Sequence, residues 1–284
     1  GGTVRIEEVA QGALSKMGVG QIANEVAIRM EGFDRYSNGR HLNRYAPSMI
    51  SISREGLQKI LADSVTPGVI QLGKEVVGVR KSDKVELSFA DGATEAFDLV
   101  VGADGINSAV ARQCFPKETA DKFTGYVVYF CIAKGSYVPE LVYSEHFISK
   151  GSLGFRMVTV AGGGSDGRLD SLQITTRGDP CSSDWDAEGE VAEMMSYLDI
   201  AGDRCLPGSR EIVANADRVF KWGMYQSPRM PTWIAEDGGV VLLGDAAHAM
   251  APFTGQGASS AIRDGLCLGE LLATRPLPAA LEEF

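Results

Sequence analysis

The stretch GGVVLLGDAAHAMAPFTGQGASSAIRDG, which ends at Gly265, limits what this chain can fold into more than any other part of it. Val240 to Leu243 is a short unbroken apolar run with β-branched residues, flanked by Gly-Gly and by Gly244-Asp245. That pattern predicts a buried strand of a parallel sheet, and the run is far too short to span a membrane. From Ala258 to Ala273, the residues Ala258, Ile262, Leu266, Gly269 and Leu272 recur at helical spacing, which predicts an amphipathic helix. Pro252, Gly255 and Gly257 break the chain between the two. A strand, a glycine-bearing loop and a helix in that order place a ligand outside the carboxyl end of the strand and at the amino end of the helix. Asp245 then stands where a carboxylate can accept hydrogen bonds from sugar-like hydroxyls. The glycines let backbone N–H groups approach a planar ligand, and the helix start offers unpaired donors with partial positive charge. The competing reading is one more strand-Gly-Asp-helix connection of an ordinary α/β protein, which a lone Gly-Asp would favour.

Composition narrows the partners. The chain has 284 residues, enough for one large or two ordinary cores, and its 44% hydrophobic and 23% charged residues are those of a globular protein. A formal charge of −10 argues against nucleic acid or an anionic membrane surface, so a bound anion needs local basic residues or helix ends. The five cysteines (Cys114, Cys131, Cys181, Cys205, Cys267) are scattered, without CxxC spacing. They read as reduced thiols of an intracellular, cytoplasmic protein, buried as small hydrophobes. No transmembrane segment, repeat or low-complexity tract is apparent, and neither end looks like a natural boundary.

The motif GDAAHAMAPFTGQGA, with the Asp of the later RDG, resembles the second flavin-binding motif of the class A FAD-dependent aromatic monooxygenases, the p-hydroxybenzoate and salicylate hydroxylase group. The resemblance implies that Gly244 and Asp245 meet the flavin ribityl chain. It also implies that Pro252, Gly255, Gly257 and the backbone of Ala258 lie along the isoalloxazine. Ser259 stands where relatives often carry Asn, and either side chain could cap the helix.

Other segments fall in the order this family requires. Ile6, Val9, Ala13, Leu14 and Met17 suggest a helical face before Gly18, and this resembles the segment that follows the family's first Rossmann unit. That unit, with its GxGxxG turn, is missing from this chain, and with it the usual seat of the adenosine half. AIRME and SMISIS read as strands joined through the Ser37-Asn38-Gly39 turn signal. Ser53 is placed to cap a helix whose buried face is Leu57, Ile60 and Leu61. Arg54 in its first turn is disfavoured by the helix dipole, which an anion-binding task would explain. The family places an Arg there near the cofactor phosphates; a solvated surface Arg is the alternative.

Val69 to Val79 and Lys84 to Phe89 read as a small antiparallel excursion. Leu99 to Val101 then predicts a second buried strand, Asp104-Gly105 a turn and Ser108 a helix cap. This is similar to the Asp-Gly motif that the family uses close to FAD and the nicotinamide cofactor. Two departures weaken a phosphate contact: Asn107 stands where a basic residue is common, and Ala111 where an Arg is, with Arg112 one position later. Beyond it, Phe123 to Lys134, Leu141 to Ser149, Leu153 to Val160, Leu169 to Thr176 and Arg218 to Met224 read as successive strands. Ala161 to Ser165 reads as a turn, and Trp185 to Leu198 as a helix capped by Asp184. The expected fold is α/β: a Rossmann-like FAD-binding domain (1–31, 54–116 and 234–284), its first βαβ unit missing, with an inserted mostly antiparallel β-sheet substrate domain (32–53 and 117–233).

The resemblance implies reduction of FAD by NADPH or NADH, reaction with O2 at C4a, and oxygen transfer from the hydroperoxyflavin to an aromatic or similar small organic substrate. The helix start after Gly257 would stabilise negative charge on reduced flavin. Phenol hydroxylation often needs a group that helps remove the phenolic proton. His146, Tyr225 and Tyr129 are the candidates, each of which could equally be a packed sheet residue, and His248 reads as structuring its loop. The three histidines are remote from one another, so no metal site is expected, and no GxSxG suggests a nucleophilic Ser. The alternatives are epoxidation or reduction of a lipophilic isoprenoid-type substrate, or a non-catalytic, degenerate homologue unable to hold FAD.

Overall fold

β-branched Thr3, Val4 and Ile6 make the first element a strand rather than the start of a helix. In the computed structural model, which describes residues 2–115, 122–138, 142–164, 167–184, 187–236 and 238–284, β1 (Thr3–Glu7) pairs antiparallel with β5 (Met49–Ser53), Ile6 opposite Ile50. Helix α1 (Glu8–Lys16) begins only after it and turns Val9 to solvent, which corrects the face read from the sequence. Helix α2 (Gly20–Val26) and β2 (Ile28–Met30) follow, and β2 pairs with the other side of β5. The Asn38-Gly39 turn, both residues at positive φ (46° and 85°), closes a hairpin. It joins β3 (Gly32–Ser37) to β4 (Arg40–Tyr45), two strands that lie between the pair expected from the sequence. Ser53 accepts a hydrogen bond from Gly56 N at 2.9 Å and so caps α3 (Arg54–Asp63), with Leu57 and Ile60 buried.

The chain divides by its contacts into two units, residues 1–64 with 123–224 and residues 65–122 with 225–284. Residues 1–31 and 54–64 thus group with the large sheet, whereas the sequence division assigned them to the FAD-binding domain. The second unit begins with an irregular segment in which Val69, Ile70 and Leu72 are exposed, so the strand expected from Val69 starts only at β6 (Val76–Lys81). With β7 (Val85–Phe89) and β8 (Thr94–Phe97) it forms a three-stranded antiparallel sheet. Next come β9 (Val100–Gly102) and α4 (Ala109–Cys114), capped by Ser108, whose hydroxyl accepts from Ala111 N at 2.8 Å.

In the first unit, β10 (Lys122–Lys134), β11 (Val142–Lys150), β12 (Leu153–Gly164) and β13 (Gly167–Arg177) extend the sheet, which is antiparallel except where β11 runs parallel to β3 and β12 touches β5. β12 runs through Ala161–Gly164, which the sequence suggested was a turn. Glycine is needed there because a Cβ on Gly163 would collide with the backbone of Val26 and Ala27. Beyond the short β14 (Glu188–Gly189), α5 starts at Val191 rather than near Asp184 and ends at Ala201; Leu141, Ser165 and Trp185 lie outside the described residues. Helix α6 (Ser209–Asn215) joins it against one sheet face, burying Tyr129, Phe155, Met157, Leu172, Ile174, Met194, Leu198 and Ile212 as the main core. β15 (Val219–Gln226) completes the sheet at the β10 side.

The chain then returns to the second unit, where β16 (Val240–Leu242) pairs parallel with β9, Val241 opposite Val101. The turn α7 (Asp245–His248), the long helix α8 (Gly257–Thr274) and α9 (Leu277–Glu283) follow. α8 buries Ser259, Ile262, Leu268 and Leu271 and leaves Gly269 exposed, so its inward face is rotated from the one read in the sequence. The cause is α9, whose Leu281 packs with Leu268 and Val241. Cys267 falls on the outer face, contrary to the expectation of a buried thiol, while Cys131 is buried; none of the five cysteines is in a disulfide. Among the described residues, no helix is long and apolar enough to cross a membrane.

Candidate cofactor and active site

The parallel β9/β16 pair delivers two turns in the second unit. After β16 the chain must reverse against α8, and Gly244 does this at φ 55° and ψ −138°, where an added Cβ would lie 3.1 Å from Cβ of Ala261. Both the backbone conformation and the close approach require glycine. Asp245 follows at once, with its Oδ1 3.8 Å from where a Cβ on Gly257 would sit. The carboxylate at the strand end is therefore beside the first turn of α8. Pro252 and Gly255 make the intervening turn, with Gly255 N donating to Pro252 O at 3.2 Å and Gly255 at φ 69°. Gln256 is the N-cap of α8 and makes no side-chain capping bond; Ser259, expected as a possible cap, is instead the buried third residue of the helix.

One contact fixes this loop to the helix. Asp264 Oδ2 accepts from Gly244 N at 3.0 Å and pairs with His248 Nε2 at 2.6 Å. The hydrogen bond to Asp264 raises the His248 pKa, against the opposing effect of burial. The Trp233 ring lies 5.2 Å from the imidazole. A cavity of about 680 Å³ touches the far end of this turn through Ala247 and His248, between the segment from Gln226 to Ile234 and α9. Asp264 stands two helical turns beyond Gly257 and hence on the same face, the one signal in the sequence for this tie.

At the other turn, Gly105 has φ 78° and Asp104 is committed to the start of α4. Its carboxylate accepts from Ala109 N at 2.7 Å, from Val110 N at 3.2 Å and from the Ser108 hydroxyl. The donor-rich α4 terminus and the Asp104 charge stabilise each other. Ala111 is buried, and Arg112 is exposed.

The remaining candidates lie elsewhere. Arg54 opens α3 in the first unit, its backbone N donating to Gly2 O at 2.8 Å. Tyr129 faces α5 and α6 and packs 5.3 Å from the Tyr197 ring; burial pushes its phenol up to about 12, too high for a base near neutrality. His146 is 2% exposed, and its Nε2 accepts from Gly39 N at 2.8 Å. A hydrogen bond to the Arg204 backbone engages the ring as well, and burial lowers its pKa, so it is a neutral ring bracing the hairpin. Tyr225 sits half-buried near the end of β15. The sheet thus draws two of the three candidate proton-transfer groups into structural contacts. Among the described residues, no group of acidic, Cys and His side chains could hold a metal ion.

The donor set around Asp245 fits a flavin. It offers an acceptor for ribityl hydroxyls at the strand end, and for the pyrimidine carbonyl a helix amino terminus that Gln256 does not cap with its side chain.

Residues 204–276 match the family described as FAD binding domain. The chain is 28% identical over 238 residues to 6-hydroxynicotinate 3-monooxygenase of Bordetella bronchiseptica, covering 80% of this chain and 58% of that protein. It is 30% identical over 235 residues to 3-amino-4-hydroxybenzoate 2-monooxygenase of Streptomyces cremeus, covering 82% and 56%. The chain therefore spans less than three fifths of these relatives' length. In fold it is similar to Klebsiella pneumoniae HpxO complexed with FAD and uric acid, with a TM-score of 0.83 at 21% identity over 100% of this chain and 74% of that one. The fold is that of this structure, an α/β part together with a mostly antiparallel sheet.

Proposed function

We propose that this chain, a homologue of the FAD-dependent aromatic monooxygenases, holds the flavin half of FAD at the turns around Asp245 and Gly257 and takes part in hydroxylating an aromatic or similar small organic substrate with NADPH or NADH and O2. The observation that carries the proposal is the Asp245 carboxylate beside the amino end of α8, whose N-cap residue Gln256 makes no side-chain capping bond, at the carboxyl end of a parallel strand. Bound FAD would supply hydride acceptance and oxygen activation.

The chain's own residues bind and orient. Asp245 accepts from ribityl hydroxyls, and Gly244 gives the turn its sharpness. Pro252, Gly255, Gly257 and Ala258 form a thin backbone wall against the ring, and Ser259 anchors the helix start behind it. The α8 terminus favours negative charge at the pyrimidine edge. Asp104 and Gly105 shape the second turn, and Arg54 answers a cofactor phosphate. In this reading, residues 1–31, 54–116 and 234–284 serve the cofactor, and 32–53 and 117–233 serve the substrate. Five thiols, none of them in a disulfide, support an intracellular, cytoplasmic setting.

The names of two relatives, a monooxygenase of 6-hydroxynicotinate and one of 3-amino-4-hydroxybenzoate, support an aromatic substrate. The test is oxidation of NADPH and NADH by the purified chain supplemented with FAD, with and without hydroxylated benzoates. Substrate-stimulated oxidation with a hydroxylated product supports the proposal. Oxidation that no aromatic compound stimulates, yielding only peroxide, contradicts it.

A further inference from the structure

Gly244 is held from both sides. Its carbonyl accepts from Ala247 N at 3.0 Å and from His248 N at 2.9 Å, which closes the α7 turn. Its N–H donates to Asp264 Oδ2, the same oxygen that pairs with His248 Nε2 at 2.6 Å. Gly244, His248 and Asp264 therefore form a closed ring of contacts, and Asp245 is the residue that follows Gly244. The ion pair is shielded, since the His248 and Asp264 side chains are 18% and 15% exposed. Ser227 N donates to Ala249 O at 2.9 Å, and the Trp233 ring packs beside the imidazole, so the histidine end of the turn is tied as well.

The charges at this turn depend on one proton. The hydrogen bond to Asp264 favours the protonated ring most, burial opposes it, and the charges of Asp264 and Asp245 add to it. Arg229 and Glu282, opposite in sign, line the cavity that the ring borders. At α4, which packs against α7, Asp104 is committed to helix amides and Arg112 is exposed. Arg263 lies on the outer side of α8. With His248 protonated, the trio of Asp245, Asp264 and His248 carries a single negative charge; with the ring neutral, Asp264 becomes a second bare carboxylate at the turn. FAD is itself an anion through its phosphates, so the neutral ring disfavours its approach.

We propose that His248 and Asp264 are positioning residues for the flavin half of FAD: their ion pair fixes the Gly244 amide, and the imidazolium lets Asp245 meet an anionic cofactor without a second uncompensated carboxylate beside it. The inference rests on the flavin site of the preceding section and adds a dependence on pH to it. Both residues act through Gly244 and Asp245. Because the folded pKa of His248 lies above its ordinary value, the turn is set for the cofactor below that folded pKa and loses the imidazolium as pH rises through it.

The test is titration of the full chain with FAD from pH 5.5 to pH 9, followed by quenching of flavin fluorescence. The dissociation constant should rise roughly fivefold or more through a single transition, the scale of one charge close to the site. His248→Gln keeps a donor for Asp264 without the charge; it should abolish the transition and bind with the wild type's high-pH affinity. Asp264→Asn keeps an acceptor for the Gly244 amide and should move the midpoint down towards an ordinary histidine, near 6.5. A merely structural pair would weaken binding by the same factor at every pH and leave the midpoint in place. The wild-type profile and the Asp264→Asn midpoint decide the matter even where His248→Gln does not fold. A wild-type dissociation constant flat across the range, or a transition that survives unchanged in His248→Gln, would overturn the proposal and leave the flavin site standing. Absence of FAD binding at every pH would overturn both.

Discussion

Asp264 holds its place in the site through two hydrogen bonds, one to the Gly244 amide and one to the His248 ring. Because the folded pKa of His248 lies above its ordinary value, the pair stabilises the fold fully at a pH below the unfolded value near 6.5. That stabilisation is lost as pH rises through the folded pKa. Of the charged groups that shift the ring, Asp264 and the weaker Asp245 both favour the protonated form. Asp264→Asn should therefore destabilise the protein more at pH 5.5 than at pH 8.5 in denaturant titrations; a difference independent of pH would mean that the pair is not ionic. Gly244→Ala meets both a left-handed φ and Ala261, and should cost about 1 to 3 kcal/mol by the same assay. A cost near zero would show that the turn can rearrange.

At the scale of elements, the local signals that carry a cap or a turn are the ones that can be read without a partner. Ser53 and Ser108 cap α3 and α4 because a short side-chain acceptor next to unpaired N–H groups is a local matter. Ser53→Ala should accordingly cost about 1 kcal/mol in unfolding free energy, and no change would mean that the cap is replaced by solvent. The strand and turn around Asp245 are legible for the same reason, since glycines and a β-branched run need no distant residue to show their use. What stays hidden depends on pairing. The apolar residues Ile6 and Val9 fit a helical face, and only the register of β1 on β5 makes the segment up to Glu7 a strand. The inward face of α8 depends on α9, and the glycines of β12 read as a turn until the backbone at Val26 and Ala27 is seen against them. The Arg35–Glu145 contact joins residues 110 positions apart. No spacing rule reaches that far. Chemical type alone singles out His146 and Tyr129, and strand alternation turns both towards the helices.

At the scale of the whole molecule, the chain divides into two units, and the proposal assigns the flavin half of FAD to turns of the second. The sheet's stability lies in its helix-covered core, where Met194, Leu198 and Ile212 are wholly buried. Leu198→Ala should cost roughly 2 to 5 kcal/mol of folding free energy. A change well below that range would mean that α5 contributes little to the core. The central claim is the role of the Asp245 carboxylate at the start of α8, and flavin binding tests it most directly. Equilibrium titration of the chain with FAD, followed by quenching of flavin fluorescence, should give saturable binding that Asp245→Ala weakens roughly tenfold, the value of a lost charge-assisted hydrogen bond. Absence of saturable binding, or a dissociation constant unchanged by Asp245→Ala, would contradict the account.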